Sequence, residues 1–388
     1  RAPADSKLKE PINGIGPSLN FTYSDVVGAK RNIGILFTGT WHVDPSSDLR
    51  TTTRDQLTLT APRYVYSVVG PEVLGNPRTR LSSGFKVDYK LSDETVITMN
   101  TVYNWFQEAS FIQQRSLTTS QSIATFNAQG VRTGTGTIMP GYTDTFTEVL
   151  TSNNSLATLT STTNDKSGRT FVLQPSVRHR FRNGLHLDYG ASYSHSNTYY
   201  DTSPLNRHYD EKPKGTVTAT LRNLGWTVDR SGNRAVPVIR QTAGPSIYDL
   251  NNYSGLVLTQ PHRNGQDGIL NARFNLRKSF DLPAPTFLKT GFNYRRHERE
   301  LAHSSRRYNP GNIGPLDQFL TRHSGYGAVV DSFLSKSKEP TMPLLDSYKI
   351  AAHQRDNPGL WTEDLAYHYQ QVLINDRQVQ EAIAGAYV

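Results

Sequence analysis

An alternating stretch of sequence decides the fold: residues 81–91 read LSSGFKVDYKL. The odd positions hold Leu, Ser, Phe, Val, Tyr and Leu, whereas the even positions hold Ser, Gly, Lys, Asp and Lys. Strict alternation of apolar and polar residues is typical of a β-strand with one apolar face and one polar face. The turn residues Ser-Asp-Glu follow, and a second alternating stretch occupies 95–105. The sequence therefore predicts a β-hairpin whose arms are 81–91 and 95–105.

Three more pairs of segments repeat this design. The predicted arms are 19–24 with 33–43, 171–181 with 185–193, and 270–277 with 288–294, and their turns are at 26–31, 182–184 and 281–285. The turn at 182–184 contains Asn-Gly, which is a strong hairpin signal between two alternating stretches. The four hairpins give eight strands. A ninth strand is predicted at 379–388, where Ile383 and Tyr387 alternate with small residues.

The links between the hairpins are far longer than the turns within them. They run over roughly 44–79, 106–168, 196–266 and 297–377. Short turns at one end and long loops at the other are typical of an outer-membrane β-barrel, whereas a soluble β-sandwich has short links at both ends. An arm of about 11 residues also has the length that a tilted strand needs to cross a bilayer. Aromatic residues near the long-loop ends of the strands agree with an interfacial girdle: Trp41, Tyr103, Trp105, Tyr193 and Tyr294.

We therefore predict an all-β fold, namely a partial antiparallel transmembrane β-barrel of eight to nine up-and-down strands. The segments 106–168, 196–266 and 297–377 are predicted to be long extracellular loops. Within them, we place 216–221 and 226–238 in a β-insertion, and we predict a short loop helix at 343–354 from its apolar residues at helical spacing. A secreted β-sandwich stays open as an alternative, because alternation alone does not distinguish a lipid-facing surface from a core.

The composition limits the kinds of protein and of chemistry. The chain has 388 residues, of which 36% are apolar, with 20 Tyr and a net charge of +9. It contains no Cys, which excludes disulfides, thiolate metal sites and cysteine nucleophiles. No stretch approaches the ~18 consecutive apolar residues of a membrane-spanning helix. The chain opens with RAPAD, without Met or the apolar core of a signal peptide, so we expect a cut or processed end here.

The sequence carries no recognisable catalytic motif. The segment HERELAH at 297–303 is similar to a zinc-peptidase helix, but its second His comes six positions after the first instead of four, so we predict no metal site. There is no Gly-x-Ser-x-Gly elbow and no Gly-x-Gly-x-x-Gly fingerprint. The positive charge is not accompanied by a basic helix or an RNA-binding aromatic motif, so no nucleic-acid partner is predicted. We predict no enzymatic activity and no cofactor.

Four short segments carry a resemblance to a known family. They are LGW at 224–226 with Asp229 and Arg230 after it, QTAGPSIYD at 241–249, LKTGFNYR at 288–295, and AIAGAYV at 382–388. With the hairpins and long loops, they make most of the chain resemble the barrel of a TonB-dependent outer-membrane receptor. The resemblance implies a wall of roughly 22 strands around a plug domain. It therefore implies that this chain is an internal piece of the barrel, without the plug and the C-terminal strands.

The resemblance also implies a function. The expected activity is energy-coupled uptake of a nutrient such as a siderophore, a vitamin or a saccharide across the bacterial cell outer membrane. The expected partners are outer-membrane lipid, the plug domain with the TonB energy-coupling complex behind it, and the small nutrient. Two alternatives stay open: a passive porin-like channel, and a secreted β-sandwich that binds carbohydrate. The loops carry no chemistry that identifies the substrate.

The polar faces of the strands supply the candidate site. If the apolar face lies against lipid, a basic stripe faces the lumen: Lys86, Arg178, Arg180, Arg273, Arg277, Lys289 and Arg295, together with Lys90. Only Asp88 and Asp188 oppose it on the predicted strands. Half-buried like charges need partners. These partners are either an anionic ligand or, as we favour for residues on the periplasmic side, acidic groups of the plug or lumen water.

Overall fold

The computed structural model describes residues 16–387, except 45–46, 59, 77, 202–213, 235, 285, 322–342 and 368. The opening RAPAD, the predicted turn residue 285 and the last residue of the predicted ninth strand, 388, lie outside this part of the chain. The described part consists mostly of antiparallel β-strands and contains a single α-helix. The predicted all-β class is therefore confirmed.

Twenty strands follow one another along the described part of the chain. They are β1 (Ser18–Val27), β2 (Ile33–Asp44), β3 (Ser47–Asp55), β4 (Val65–Gly75), β5 (Arg78–Lys90), β6 (Thr95–Thr118), β7 (Thr125–Phe126), β8 (Arg132–Thr133), β9 (Phe146–Val149), β10 (Leu156–Arg180), β11 (Leu185–Asp201), β12 (Gly215–Arg222), β13 (Gly225–Asp229), β14 (Val238–Ala243), β15 (Ser254–Phe280), β16 (Thr286–Pro310), β17 (Leu320–Thr321), β18 (Leu344–Leu345), β19 (Trp361–Glu363) and β20 (Tyr369–Tyr387). Helix α1 spans Ser347–Asp356, and its N-cap Asp346 accepts from two backbone N–H groups. In the part of the chain that is described, no helix is long and apolar enough to cross a membrane.

Thirteen of these strands form one antiparallel sheet. Its central order is β1-β2-β5-β6-β10-β11-β15-β16-β19. The other four strands lie beside strands of this order. Strand β4 pairs with β6, as β5 does, and β3 pairs with β4. Strand β12 pairs with β10, as β11 does, and β20 pairs with β16, as β19 does. The eight predicted strands and the ninth are therefore neighbours in the predicted sequential order.

All four predicted short turns lie at the same edge of this sheet, because they join consecutive antiparallel strands. They connect β1 to β2, β5 to β6, β10 to β11, and β15 to β16. In the third turn Gly184 has φ +77°, a conformation that suits glycine, and Asn183 Oδ1 accepts from the backbone N–H of Leu185. We call this side of the sheet the turn edge and the opposite side the far edge.

The strands run much further towards the far edge than the alternation predicts. The arm predicted at 95–105 is 24 residues long in β6, and β10, β15 and β16 have 25, 27 and 25 residues. The segments 106–168, 196–266 and 297–377 therefore contain strand residues at their ends. Past Trp105 the apolar face of β6 carries Gln113 and Arg115, both buried, so the apolar signal stops although the strand continues.

The two segments placed in one β-insertion lie in two different sheets. Strand β12 (Gly215–Arg222) belongs to the main sheet, where it pairs with β10 and β15. Its threonines occupy one face, while Val217, Ala219 and Leu221 are buried on the other. The polar Thr residues hid this alternation in the sequence. The segment 226–238 lies apart from the main sheet, because β13 pairs with β14 and β9 in a separate three-stranded sheet.

The core lies in the far half of the sheet. It joins residues of the sheet such as Leu117, Leu159 and Leu258 to Trp226 of β13. Strand β18 and helix α1 cover β6 and β10, since Ser347 Oγ lies 3.3 Å from Ser161 Oγ and Leu345 accepts from the Gln113 amide. The core side chains share a face with the apolar residues near the turn edge. For example, Leu117 and Trp105 are both odd residues of β6, which has no bulge against β10.

Candidate functional site

In the half of the sheet next to the turns, the apolar face is bare among the residues that the structure describes. Its large side chains are in large part exposed, as in Phe85 (43%), Phe274 (41%) and Phe292 (41%). Leu187 on the same face is half-buried. Other exposed members are Leu19, Phe21, Tyr23, Phe37, Trp41, Leu81, Tyr89, Met99, Phe171, Tyr189, Tyr193 and Leu270. We call this surface the apolar band.

Strand pairing makes the apolar band continuous. Tyr23 pairs with Phe37, which pairs with Phe85, and the row Val177–Tyr189–Phe274–Phe292 crosses four further strands. Towards the far edge, Trp41, Leu81 and Trp105 form one row, so the predicted aromatic residues of β2 and β6 are at the same level. Contiguous apolar surfaces of this kind mark sites of contact with protein or membrane.

The opposite face of the same half is polar, and it holds the predicted basic stripe. Lys86, Arg178 and Arg273 line a cavity of about 480 Å³ together with Asp88 and Asp188. Lys86 Nζ lies 2.7 Å from Asp88 Oδ2, and Arg273 Nη2 lies 3.5 Å from Asp188 Oδ1. The structure thus brings three of the seven predicted cations together with both predicted acids.

The remaining predicted cations lie elsewhere on the polar face. Arg180, Arg277 and Lys289 share one row near the turn edge through His186, which pairs with both arginines. The Arg277 guanidinium lies 4.5 Å from the centroid of the Phe287 ring. Arg295 pairs with Asn271 and lies apart from both groups.

A second cavity on the polar face was missed from the sequence. It has a volume of about 550 Å³ and lies between β5, β6, β10 and β11, at the level of the row of Trp105. We call it the far cavity; the residues of its wall that matter here are Arg78, Arg80, Asn104, Phe106, Lys166 and Tyr200. The register of the predicted hairpin already pairs Arg78 with the acidic Glu108. That pairing of opposite charges is the signal that could have revealed the cavity.

Glu108 anchors this cavity. Its side chain is only 2% exposed and accepts from Arg78 Nε and from Lys166 Nζ, each at 2.8 Å. Burial alone would raise the pKa of the Glu108 carboxyl, but the hydrogen bonds from Lys166 and Arg78 outweigh burial and hold this pKa below its ordinary value. The carboxylate therefore stays charged and links three strands.

The histidines of the 297–303 segment lie within β16. His297 Nε2 lies 2.9 Å from Asp267 Oδ2, which also accepts from Arg299 at 2.8 Å. Over the described residues, no three His, Asp or Glu side chains are grouped closely enough to hold a metal ion. The arrangement around His297 is that of an ion-paired strand surface.

Comparisons with protein-family models, with curated proteins and with solved structures found no match to this chain. Two features of its own geometry bear on function. One is the apolar band, and the other is the polar face with its two cation-lined cavities. The polar face with its cavities suits binding of polar solutes, and the apolar band suits contact with an apolar partner.

Proposed function

We propose that this chain is part of the wall of a transmembrane β-barrel in the bacterial outer membrane. We further propose that the barrel takes up a nutrient by energy coupling, as in the TonB-dependent receptors that its segments resemble. The observation that carries the first proposal is the apolar band, bare on one face of the sheet and backed by a polar face. The coupling and the plug partner rest on the resemblance.

The height of the apolar band suits a bilayer. Between the row of Trp105 and the turn edge, β5 contributes residues 81–90. Ten strand residues measure about 33 Å along the strand. When the strand is tilted by about 40–45°, they span about 25 Å, the height of the lipid-facing band of outer-membrane barrels. A row that contains Trp41 and Trp105 at one border agrees with an interfacial girdle.

The far half of the sheet supports the same interpretation by contrast. There the same face is covered by β13, β18, α1 and their neighbours, and Leu159 and Leu258 are fully buried. The described residues thus cover the apolar face in the far half and leave it bare in the turn half. Removing apolar surface from water stabilises a protein by roughly 25 cal/mol per Å². An apolar band of this size is therefore expected to lie against lipid or protein and not against water. Lipid supplies such a cover, whereas a β-sandwich would need a second protein layer here.

A topology experiment tests the membrane proposal. The chain has no Cys, so Ser120→Cys near the far edge and Asn183→Cys in a turn each give a unique thiol. In intact bacteria that produce the protein, a membrane-impermeant maleimide should label position 120 and leave position 183 unlabelled until the cells are opened. Labelling at 183 with protection at 120 would contradict the proposed orientation. Labelling at both positions in intact cells would contradict membrane spanning.

Energy dependence separates the proposed receptor from the passive channel. Uptake of ferric citrate, cyanocobalamin or trigalacturonate by cells that produce the whole receptor containing this chain should stop when a protonophore removes the energy source. Uptake that continues at the same rate with the protonophore would favour the porin-like channel and contradict the coupled mechanism.

A further inference from the structure

The far cavity has the shape and position of a ligand site. Its volume of about 550 Å³ falls within the range of small-molecule pockets. It opens on the polar face at the level of the row of Trp105, where the proposed barrel would meet the outside. Its wall comes from four neighbouring strands, so the surrounding sheet fixes its residues.

The charges of the far cavity favour an anion. Arg78 and Lys166 share the single buried carboxylate of Glu108. Arg80 is exposed and, among the described residues, has no carboxylate within 4.0 Å of its guanidinium. With Arg169, four cations therefore line the cavity against one acid, and the excess positive charge is available to a ligand. Arginine binds carboxylates and sulfates through paired, charge-assisted hydrogen bonds.

The uncharged groups of the far cavity favour a sugar. The ring of Phe106 fills the space over Gly168, where a Cβ would collide with it, and the Tyr200 ring lies 4.8 Å from Lys166 Nζ. Aromatic rings offer an apolar surface to the apolar face of a sugar. Ser82, Asn104, Thr170 and Thr198 add hydroxyl and amide groups to the wall. In small-molecule pockets, a few precisely placed polar groups among apolar ones fix the orientation of the ligand.

We propose that the far cavity binds an acidic saccharide, with its carboxylate or sulfate on Arg80 and one sugar ring on Phe106. An acidic saccharide is thus the substrate class for the proposed function, and the direction of its transport rests on that function. Binding itself depends only on the far cavity.

Titration calorimetry on the chain in detergent micelles tests this assignment. The far cavity lies away from the edge strands β1 and β20, so association at those edges leaves it open. The probe is trigalacturonate, and neutral maltotriose is the control ligand. Trigalacturonate should bind and maltotriose should not. Absence of trigalacturonate binding, or equal binding of both sugars, would overturn the proposal.

Variants locate the site. Arg80→Gln and Phe106→Leu should each weaken trigalacturonate binding about tenfold, the effect of losing one charge-assisted hydrogen bond or one ring contact. Arg182→Gln removes the same charge from an exposed turn residue and should leave the affinity unchanged. Affinity unchanged in both Arg80→Gln and Phe106→Leu would overturn the assignment.

The two proposals can fail separately. If trigalacturonate binds but the labelling of positions 120 and 183 contradicts a membrane topology, the proposed function fails and the far cavity stands as a binding site. If the labelling agrees with a membrane topology but trigalacturonate does not bind, the far-cavity proposal fails and the proposed function stands.

Discussion

Charged residues on the polar face differ widely in what they contribute to stability. The pairs Lys86–Asp88 and Arg273–Asp188 have side chains about half exposed, and pairs of this kind contribute about 0–1 kcal/mol. Glu108 is different because it is almost fully buried and neutralises two cations on β5 and β10. Loss of its charge leaves both cations without their shared acceptor.

Replacing Glu108 tests this difference. Glu108→Gln keeps the shape but removes the charge, so the free energy of unfolding should fall by about 1–3 kcal/mol. Urea unfolding in detergent micelles, followed by Trp fluorescence, measures it. Glu148→Gln, at a half-buried carboxylate of β9 outside any ion pair of the described residues, is the matched control and should change little. Equal effects of the two variants would contradict the anchoring role of Glu108.

The pH dependence follows from the lowered pKa of Glu108. A carboxyl whose pKa is lower in the folded state stabilises the fold above its unfolded pKa of about 4.3, and this stabilisation is lost as pH falls through the folded-state pKa. Below about pH 4.3 the parent should therefore lose stability more steeply than Glu108→Gln. Unfolding midpoints measured from pH 7 to pH 2 check this. Parallel curves for parent and variant would contradict it.

Among the elements, the third hairpin turn depends on one glycine. Gly184 has φ +77°, and a Cβ there would lie 3.0 Å from the carbonyl oxygen of Ser279. Gly184→Ala should cost about 1 kcal/mol or more, because alanine is strained at positive φ. Gly232→Ala is the control, since a Cβ at Gly232 meets open space. Thermal unfolding of both variants measures the loss of stability. A loss in Gly184→Ala no larger than that in Gly232→Ala would show that this turn tolerates other residues.

Alternation and turn residues predicted the positions of the hairpins and the order of the strands. They did not predict where the strands end. Gln113 and Arg115 are buried on the apolar face of β6, and the Thr residues of β12 reduce its contrast, so the pattern ends while backbone pairing continues. Local pattern reports side-chain polarity, whereas strand length depends on pairing with neighbours that the sequence does not show directly.

The candidate site was predictable in part for the same reason. Lys86, Arg178 and Arg273 were found because each lies on the polar face of a strong alternating strand. Whether these three residues lie in one cavity depends on the register of strand pairing across three hairpins. Knowing which face of a strand each residue occupies does not give that register. The far cavity was missed because Arg78, Glu108 and Lys166 lie where the apolar signal has ended. Extending the register of each hairpin beyond its apolar part would have paired Arg78 with Glu108.

At the scale of the whole molecule, the two faces of the turn half should tolerate charge differently. Arg at Val87, on the apolar band, should cost about 2–4 kcal/mol in a lipid bilayer, and Arg at Asp88, on the polar face, much less. Unfolding of both variants in lipid vesicles measures the difference. Equal costs at the two neighbouring positions would indicate a core on both faces and favour the β-sandwich.

The two borders of the sheet lead to another expectation. In the described part of the chain, β1 pairs only with β2, and β20 pairs only with β16. Unpaired backbone groups in hydrocarbon cost several kcal/mol each, so residues 1–388 refolded alone into vesicles should associate edge to edge and show no coupled uptake. Cross-linking and heat-modifiable gel mobility test this. A stable monomeric barrel with selective, energy-dependent uptake would contradict it.

The central claim is that the apolar band faces lipid while the opposite face meets water. Spin labels on single cysteines at Val87 and Asp88 test it most directly in the chain refolded into vesicles, with the exposed Val131 of the far loops as a water-side control. Power-saturation measurements compare contact with oxygen, which concentrates in lipid, and with a water-soluble nickel chelate. The account predicts that the label at 87 responds to oxygen and that the labels at 88 and 131 respond to nickel. A label at 87 that responds to nickel as strongly as the label at 131 would contradict the account.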